Sequence, residues 1–252
     1  PIVQRLEEMR ARHLADGRNC SPADGPSRRP WQPPTAEQAA LILARSGLSP
    51  AERRLSLATV AQHRHQRAAL EALRRYLAEW RAALEAGARP PEWWAVLASA
   101  ETGTGKSFLA AALVADLCRL GVRALYLPEV RMMDALRAAC RPDTEFGIAQ
   151  LRELWGRVPV LVLDDLCADR PTEFAARELY ALIEARRRAR RGTIITTNAD
   201  PDTMEAHYEA VAPGQGRRIG SRIIGMCAGA RTWIRMDGPD LRARGEVALP
   251  MG

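Results

Sequence analysis

The sequence predicts an α/β protein with a parallel sheet flanked by helices, and three features support this fold class. The apolar run Trp94–Ala98 leads into a glycine-rich loop, and residues 108–113 leave that loop with the apolar spacing of a helix. Residues 158–163 form a continuous apolar run, which is typical of a strand buried on both faces of a parallel sheet. Strand and helix patterns alternate along the rest of the chain, which predicts a doubly wound arrangement.

The composition is that of an ordinary globular protein and favours an anionic partner. Of the 252 residues, 47% are hydrophobic and 27% are charged, and the formal net charge is +7. This excess of cations fits a nucleic-acid partner, and an arginine-rich surface without such a partner explains it equally well. The five cysteines lie far apart without a C-x-x-C pair, which predicts neither a zinc site nor a disulfide framework. No apolar run is long enough to span a membrane, and we therefore expect a cytoplasmic protein.

The chain is predicted to divide into a small helical N-terminal region, residues 1–65, and a main domain, residues 66–252. Apolar spacing predicts a helix over residues 2–17. The Pro/Gly/Ser-rich stretch over residues 19–34 is typical of a linker. The first region precedes the main domain and is the expected docking site for a partner.

Two further helices are expected before the first strand. Thr35 and Gln38 have the spacing of a capping box, which predicts a helix that ends at Gly47, and Pro50 predicts the start of another helix. A core-facing stripe then predicts a long helix against the sheet. Its members are Leu70, Leu73, Leu77, Trp80 and Leu84.

The remaining elements follow from apolar patterns and turn residues. Further strands are predicted at residues 122–127, 158–163, 192–198 and 231–236. Further helices are predicted at residues 129–139, 148–155 and 172–188. In the last of these helices, the side chains expected to face inward are Phe174, Leu179, Leu182 and Ile183.

The glycine-rich loop has the context of a phosphate-binding loop. It consists of Ala100, Glu101, Thr102, Gly103, Thr104, Gly105, Lys106 and Ser107. Its glycines permit positive φ, so that backbone N–H groups converge on phosphates at a helix N-terminus. Lys106 is placed to contact the β- and γ-phosphates, and the Ser107 hydroxyl to ligate Mg²⁺. Ala100 replaces the first glycine of the usual pattern, and the alternative is a plain glycine turn with an incidental lysine.

Two neighbouring carboxylates follow the apolar run at residues 158–163. We expect Asp164 and Asp165 at the carboxyl edge of the sheet, on the side where the phosphate-binding loop lies. Asp164 is placed to hold Mg²⁺ through water, and Asp165 to orient or deprotonate the water that attacks the γ-phosphate. A polar pair that caps a loop is the alternative.

Later polar residues leave two interpretations open. Asn198 closes a predicted strand, where its amide can bind the γ-phosphate or serve as an ordinary turn residue. Arg217, Arg218 and Arg222 form a cluster from which an arginine can reach the γ-phosphate of a neighbouring subunit. From the residues alone, Arg222 is a solvated helix charge.

Five motifs in order resemble the DnaC/DnaI-type replicative helicase loaders, AAA+ ATPases related to the IstB transposition helpers. They are E-T-G-T-G-K-S at residues 101–107, L-D-D-L at 163–166, P-T-E-F-A-A-R-E-L-Y at 171–180, T-I-I-T-T-N at 193–198 and R-I-G-S-R-I at 218–223. Together they are far more specific than any one motif. The resemblance implies an AAA+ P-loop fold with a five-stranded parallel sheet.

This resemblance implies the roles of a Walker A and a Walker B motif. Residues 100–107 and the following Phe108 would bind ATP. Asp164 and Asp165 would form the Walker B motif, with Mg²⁺ held by Ser107 and Asp164.

The resemblance also implies roles for residues later in the chain. Asn198 would be the sensor-1 residue. Arg222 would be the arginine finger that acts on a neighbouring subunit, with Arg218 as its alternate. Arg242 resembles the C-terminal arginine of the family, which gives a further phosphate contact.

The loop and helix after the Walker B motif line a groove for single-stranded DNA in these loaders. This implies DNA contacts from Thr172 and Phe174, because a phenyl ring can stack on any base. The alternative is that Phe174 is the first core residue of its helix. Cys167 stands where the family commonly has glycine, and no cysteine cluster supports the zinc-binding N-terminal domain of some relatives.

The predicted function is an ATP-dependent loader of the replicative DNA helicase. We expect a multimer that shares ATP sites, binds single-stranded DNA and the hexameric helicase, and releases the helicase on hydrolysis. ATPase activity should be weak in isolation, because Arg222 comes from a neighbour, and should be stimulated by DNA or a partner.

Three other classes of protein are alternatives to the loader. A transposition helper shares every motif. An initiator that reads duplex DNA is disfavoured, because the roughly fifty residues after Asn198 leave no room for a helix-turn-helix domain. A small-molecule kinase needs lid arginines, and residues 186–191 are more simply cations that offset a helix dipole.

Overall fold

Five parallel strands form the centre of the molecule. The computed structural model describes residues 31–61, 63–141, 147–228 and 232–243. The strands are β1 (Trp94–Ala98), β2 (Ala124–Pro128), β3 (Val160–Leu166), β4 (Gly192–Thr197) and β5 (Trp233–Arg235). They pair in the order β2-β3-β4-β1-β5, and every pairing is parallel. The expected fold class is confirmed.

Eight α-helices and two short 3₁₀ turns occur in the described part of the chain. The helices are α1 (Ala36–Ala44), α2 (Arg67–Glu85), α3 (Lys106–Arg119), α4 (Glu129–Ala139), α5 (Ile148–Arg157), α6 (Glu173–Arg188), α7 (Pro201–Glu209) and α8 (Gln215–Ala228). The 3₁₀ turns are Glu52–Arg54 and Arg64–Gln66. None of the helices within these ranges combines the length and the hydropathy that crossing a membrane requires.

The sheet separates two hydrophobic clusters, and β1 illustrates why. Its side chains alternate, so that Ala95 and Leu97 join one cluster and Trp94, Val96 and Ala98 join the other. Residues of α2 and α3 complete the first cluster, and residues of α4 to α8 complete the second. All five β1 residues are buried, as the continuous apolar run predicts.

The N-terminal elements agree in part with the sequence patterns. The capping box of Thr35 and Gln38 is present at the start of α1. Beyond Pro50 the expected helix is wrong, because the chain forms only the single 3₁₀ turn Glu52–Arg54 before it extends at Leu55. The predicted helix over residues 2–17 lies outside the described residues.

Residues just before α2 pack directly onto the main domain. Leu48, Leu55 and Leu57 belong to the cluster that contains α2 and α3. The Asp116 carboxylate of α3 accepts a hydrogen bond from the Leu57 N–H at 2.8 Å. The division of the chain at residue 65 stays a prediction.

The prediction that Phe174 faces inward is wrong. Its side chain lies in the first turn of α6 and is 37% exposed. The buried stripe of α6 begins one residue later, at Ala175 and Ala176, and continues through Leu179, which turns Phe174 toward solvent.

The sequence predicts no helix bounds between Asn198 and residue 231, although Arg222 is expected on a helix, and the structure has α7 and α8 there. Asp200 caps α7 by accepting a hydrogen bond from the Thr203 N–H at 2.8 Å, and Pro201 occupies the first turn. The same residue types also favour turns, and a turn at Asn198 is one of the two interpretations that the sequence leaves open.

Candidate functional site

The glycine-rich loop described above, hereafter the glycine loop, follows β1, and its last two residues, Lys106 and Ser107, begin α3. Gly103 and Gly105 have φ of +70° and +88°, a left-handed conformation that glycine adopts at little cost. α3 begins at Lys106, and its N-cap residue Gly105 has no side chain to occupy the N–H groups of the first turn. Ala100 is not among the three non-glycine residues with positive φ in the described chain, so its replacement of a glycine causes no such strain.

Residues that are far away in sequence contact the carbonyl oxygens of the glycine loop, on the side that we call its outer face. The Gln66 amide Nε2 donates to the Thr104 carbonyl at 2.9 Å, and His65 Nε2 lies 3.3 Å from the same oxygen. The Leu241 N–H donates to the Gly103 carbonyl at 3.0 Å. These contacts come from residues far from the loop in sequence, so no local sequence pattern predicted them.

Lys106 lies between the glycine loop and the acidic pair. Its residue exposure is 7%, and Nζ donates to the Glu101 carbonyl at 3.0 Å. Burial lowers the pKa of Lys106, whereas the nearby carboxylates of Asp165 and Asp164 oppose that change. The structure therefore brings the predicted loop lysine and the predicted acids together.

Asp164 is a buried carboxylate with two hydroxyl donors. Its Oδ2 accepts from the Tyr126 hydroxyl at 2.6 Å, and its Oδ1 accepts from Thr196 Oγ1 at 2.7 Å. Burial and the Asp164 carboxylate raise the pKa of the Tyr126 hydroxyl well above its usual range. Ser107 lies near the Tyr126 hydroxyl and lowers the pKa of that group, so Tyr126 is close to both the loop serine and the first acid.

Asp165 is more exposed and has a left-handed backbone. Its φ is +57°, and its N–H donates to Thr196 Oγ1 at 2.8 Å. Partial burial and the adjacent Asp164 carboxylate raise the pKa of Asp165, and Lys106 opposes the change. The two acids therefore occupy different environments, with Asp164 fixed by hydroxyl donors and Asp165 turned toward solvent.

The carboxylate of Glu129 binds the backbone that follows the acidic pair. Cys167 has φ of +71°, and its N–H donates to Glu129 Oε2 at 2.9 Å. The Tyr208 hydroxyl donates to Glu129 Oε1 at 3.0 Å. Burial raises the pKa of Glu129 to about 7. Neither Glu129 nor Tyr208 was predicted as a partner of this loop, because both lie far from it in sequence.

Asn198 emerges at the same edge of the sheet. It directly follows β4, whose last residue Thr197 pairs with Ala98 of β1 and Leu166 of β3. Its side chain is exposed. The topology thus places Asn198 between the glycine loop and the acidic pair, as its predicted role requires.

The predicted arginines lie in two places. Arg222 of α8 donates from Nε to Glu184 Oε2 of α6 at 3.2 Å, and the Arg218 guanidinium lies 6.0 Å from the Tyr180 ring centroid. These contacts are with α6 and not with the glycine loop. Arg242 instead lies near the loop, where its charge lowers the pKa of Lys106.

Arg242 forms an ion pair with Asp240 at 3.1 Å. A Cβ atom on Gly103 would lie only 1.8 Å from Asp240 Oδ1. The segment around Asp240 therefore sits directly on the glycine loop, and a side chain at residue 103 would have to displace the Asp240 carboxylate.

Of the two predicted DNA contacts, Thr172 also has a structural role. Its hydroxyl caps α6 by accepting a hydrogen bond from the Ala175 N–H at 3.1 Å. The exposed ring of Phe174 lies two residues further on, and it is one of four large exposed hydrophobic side chains in the described chain.

Comparison of the sequence with known proteins identifies relatives of the central domain. Residues 95–211 match the family described as IstB-like ATP binding protein. The chain is 37% identical over 111 residues to an insertion sequence IS1162 ATP-binding protein of Pseudomonas fluorescens, a match that covers 44% of the chain and 46% of that protein. It is 31% identical over 183 residues to the protein YdaV of Escherichia coli K12, covering 72% of the chain and 66% of YdaV. The matches thus span about half to two thirds of these relatives.

Solved structures agree with the fold. DnaI covers 77% of the chain with a TM-score of 0.56 and 21% identity, and 93% of DnaI is matched. The DnaC helicase loader covers 76% with a TM-score of 0.55 and 19% identity, and all of it is matched. The initiator DnaA bound to AMPPCP and single-stranded DNA covers 75% of the chain with a TM-score of 0.57 and 18% identity, and 50% of that DnaA chain is matched. These solved structures thus share the five-stranded parallel fold, and residues 95–211 of the chain are similar to the IstB-like ATP binding proteins.

Proposed function

We propose that the protein is an ATPase that loads a replicative DNA helicase. The observation that carries the ATPase part is the position of Lys106 between the glycine loop and the carboxylates of Asp164 and Asp165. A cation beside left-handed glycines at a helix N-terminus favours the phosphates of a nucleotide. An adjacent acidic pair supplies the groups that hydrolysis needs.

The two acids suit different tasks. Asp164 is fixed by Tyr126 and Thr196, as expected of a residue that holds a metal ion at a constant position. Asp165 faces solvent and has its pKa raised, as expected of a group that orients or deprotonates water. Lys106 binds phosphate oxygens as a point charge.

Mg²⁺ fits the residues at this position. Asp164 and Ser107 both lie near the Tyr126 hydroxyl and offer a carboxylate and a hydroxyl, which are hard oxygen ligands. The described residues contain no cluster of three His, Cys, Asp or Glu that could hold a metal alone. We therefore expect phosphate oxygens and water to complete the coordination, and the ion to neutralise charge on the phosphates.

Single-stranded DNA is the proposed nucleic-acid partner. Phe174 presents a 37% exposed aromatic ring just past the acidic pair, and the formal net charge of the chain is +7. An exposed ring can stack on a base of any sequence, and stacking contributes about 1–3 kcal/mol per base. Phe174→Ala should therefore weaken DNA binding about 5- to 100-fold, and Leu41→Ala, at another exposed apolar position, should not.

Self-association through a shared ATP site is the proposed switch. Arg222 is 41% exposed and pairs with Glu184, which also binds Arg187 and Arg188. The Glu184 side chain is only 13% exposed, but it keeps its ion pairs with Arg187 and Arg188 if Arg222 leaves. Arg222 is thus available to act on the nucleotide of a neighbouring subunit.

A helper of a DNA transposase is the second candidate. It is favoured by the family description and by the relative encoded in an insertion sequence. Both candidates use the same ATPase site, so the choice depends on which partner the protein binds.

A pull-down against a replicative hexameric helicase, with and without ATP and single-stranded DNA, tests the proposal. Retention of the helicase that depends on ATP supports the loader. Retention of an IS21-type transposase instead supports the helper. Lys106→Ala is the matched control and should lose nucleotide binding together with ATP-dependent retention. If the wild-type protein binds neither ATP nor ADP, the ATPase proposal is refuted.

A further inference from the structure

The outer face of the glycine loop is held by side chain and backbone groups from outside the loop. Gln66 Nε2 donates to the Thr104 carbonyl at 2.9 Å. The Leu241 N–H donates to the Gly103 carbonyl at 3.0 Å. Both carbonyl oxygens therefore point toward these two groups.

The direction of a carbonyl fixes the direction of the next N–H. In a trans peptide the C=O and the following N–H point to opposite sides, and the described chain contains no cis peptide bond. The N–H of Gly105 consequently points away from Gln66, to the inner side of the loop. The Thr104 N–H is turned inward in the same way by the Leu241 contact. These inward N–H groups are the donors that would bind phosphate.

Gln66 is packed tightly against the loop. It is 1% exposed, and a Cβ atom on Gly105 would lie 2.1 Å from its Nε2. Its Oε1 is buried and has no hydrogen-bond partner among the described residues. A buried oxygen without a partner is unfavourable for folding, so stability alone does not account for an amide at this position.

We propose that Gln66 is a positioning residue for phosphate binding, which holds the Thr104–Gly105 peptide with its N–H turned toward the phosphates. This inference rests on the proposed function, because it concerns how the same loop binds the nucleotide. Gln66 acts on the phosphates through the loop backbone and not by touching the nucleotide.

Calorimetric titration of Gln66→Met with ATP and with inorganic tripolyphosphate tests the inference. Methionine has a similar length and lacks the donor. Loss of one buried hydrogen bond should weaken binding of both ligands about 5- to 30-fold, by a similar factor for each. The amide resonance of Gly105 should shift in the variant before any ligand is added, which a change confined to overall stability would not produce.

Arg67→Ala is the matched control, because the exposed Arg67 side chain follows Gln66 and pairs with Glu71 one turn along its own helix. It should bind both ligands as the wild type does. A loss confined to ATP would assign Gln66 to the nucleoside and overturn the inference, and so would unchanged affinity for both ligands. Gln66→Leu, which also lacks the donor and adds no charge, gives the same comparison if the Met variant does not fold. Failure of the wild-type protein to bind either ligand would instead refute the proposed function.

Discussion

Replacing Glu129 by glutamine should remove a loss of stability that the wild-type protein undergoes as pH rises. Glu129 is the first residue of α4 and is 6% exposed. Its carboxyl group accepts hydrogen bonds from the Cys167 N–H and the Tyr208 hydroxyl. It therefore connects the end of β2, the loop after the acidic pair and α7.

The sign of the effect follows from the pKa. Burial raises the pKa of Glu129 from 4.5 to about 7, although the hydrogen bonds from Tyr208 and Cys167 oppose this change. The folded protein thus keeps a proton that the unfolded chain has already lost. The contribution of Glu129 to the free energy of unfolding is largest below about pH 4.5, falls as pH rises toward 7, and is constant above about pH 7.

The magnitude follows from the same two values. At about 1.4 kcal/mol per tenfold change, the difference between 4.5 and 7 corresponds to about 3 kcal/mol. For a chain of this size, that is a fall in Tm of roughly 6–12 °C. The amide introduced by Glu129→Gln stays neutral at every pH and can donate to Tyr208 as a protonated carboxyl group would, so the variant should lack this part of the slope.

Thermal unfolding of both proteins at pH 5 and pH 8 measures the effect. The wild-type protein should lose Tm between these values, and Glu129→Gln should lose much less. Glu153→Gln, at an exposed residue paired with Arg157, is the control and should keep the wild-type slope. Equal slopes in the wild-type protein and Glu129→Gln would refute the assignment of the proton to Glu129.

Three further predictions concern other parts of the molecule. Arg222→Ala should keep nucleotide binding and lose DNA-stimulated ATP hydrolysis. Arg187→Ala, which removes a different partner of Glu184, should keep both activities. Unchanged DNA-stimulated hydrolysis in Arg222→Ala would reject a shared ATP site. Tyr126→Phe should raise the Mg²⁺ concentration for half-maximal hydrolysis about tenfold, because Asp164 loses a charge-assisted hydrogen bond, and an unchanged value would contradict that role. Arg186→Met should lower the free energy of unfolding by about 4 kcal/mol or more, because the buried guanidinium donates to four oxygen atoms. A free energy of unfolding within about 1 kcal/mol of the wild-type value would contradict this account.

The sheet and the centre of the site were predictable because both depend on local patterns. Uninterrupted apolar runs mark β1 and β3, and their carboxyl ends must meet at one edge of a parallel sheet. The proximity of Lys106 to Asp164 and Asp165 follows from that geometry alone. The loop glycines are equally local, since a left-handed φ at residues 103 and 105 favours glycine wherever the loop is placed.

Contacts across the chain were not predictable from the same patterns. Tyr126 lies in an apolar strand and looks like a core residue in sequence, yet its hydroxyl reaches Asp164 of the neighbouring strand. Phe174 has the residue type of a core position, and only the register of α6 turns it outward. The Tyr126 contact depends on how neighbouring strands pack, which periodicity within one element does not encode. For Phe174, in contrast, the three- and four-residue spacing of the buried side chains within α6 already places it off the buried face.

The region that matches the family does not include all the residues that contact its glycine loop. Residues 95–211 include the glycine loop and the acidic pair, but Gln66 and Leu241 lie on either side of that range. The backbone N–H groups of the loop are useful for binding only when they are held in one direction, because ordering them at the moment of binding lowers affinity. Changes in the flanking segments can therefore adjust nucleotide affinity while every residue of the phosphate-binding motif stays the same.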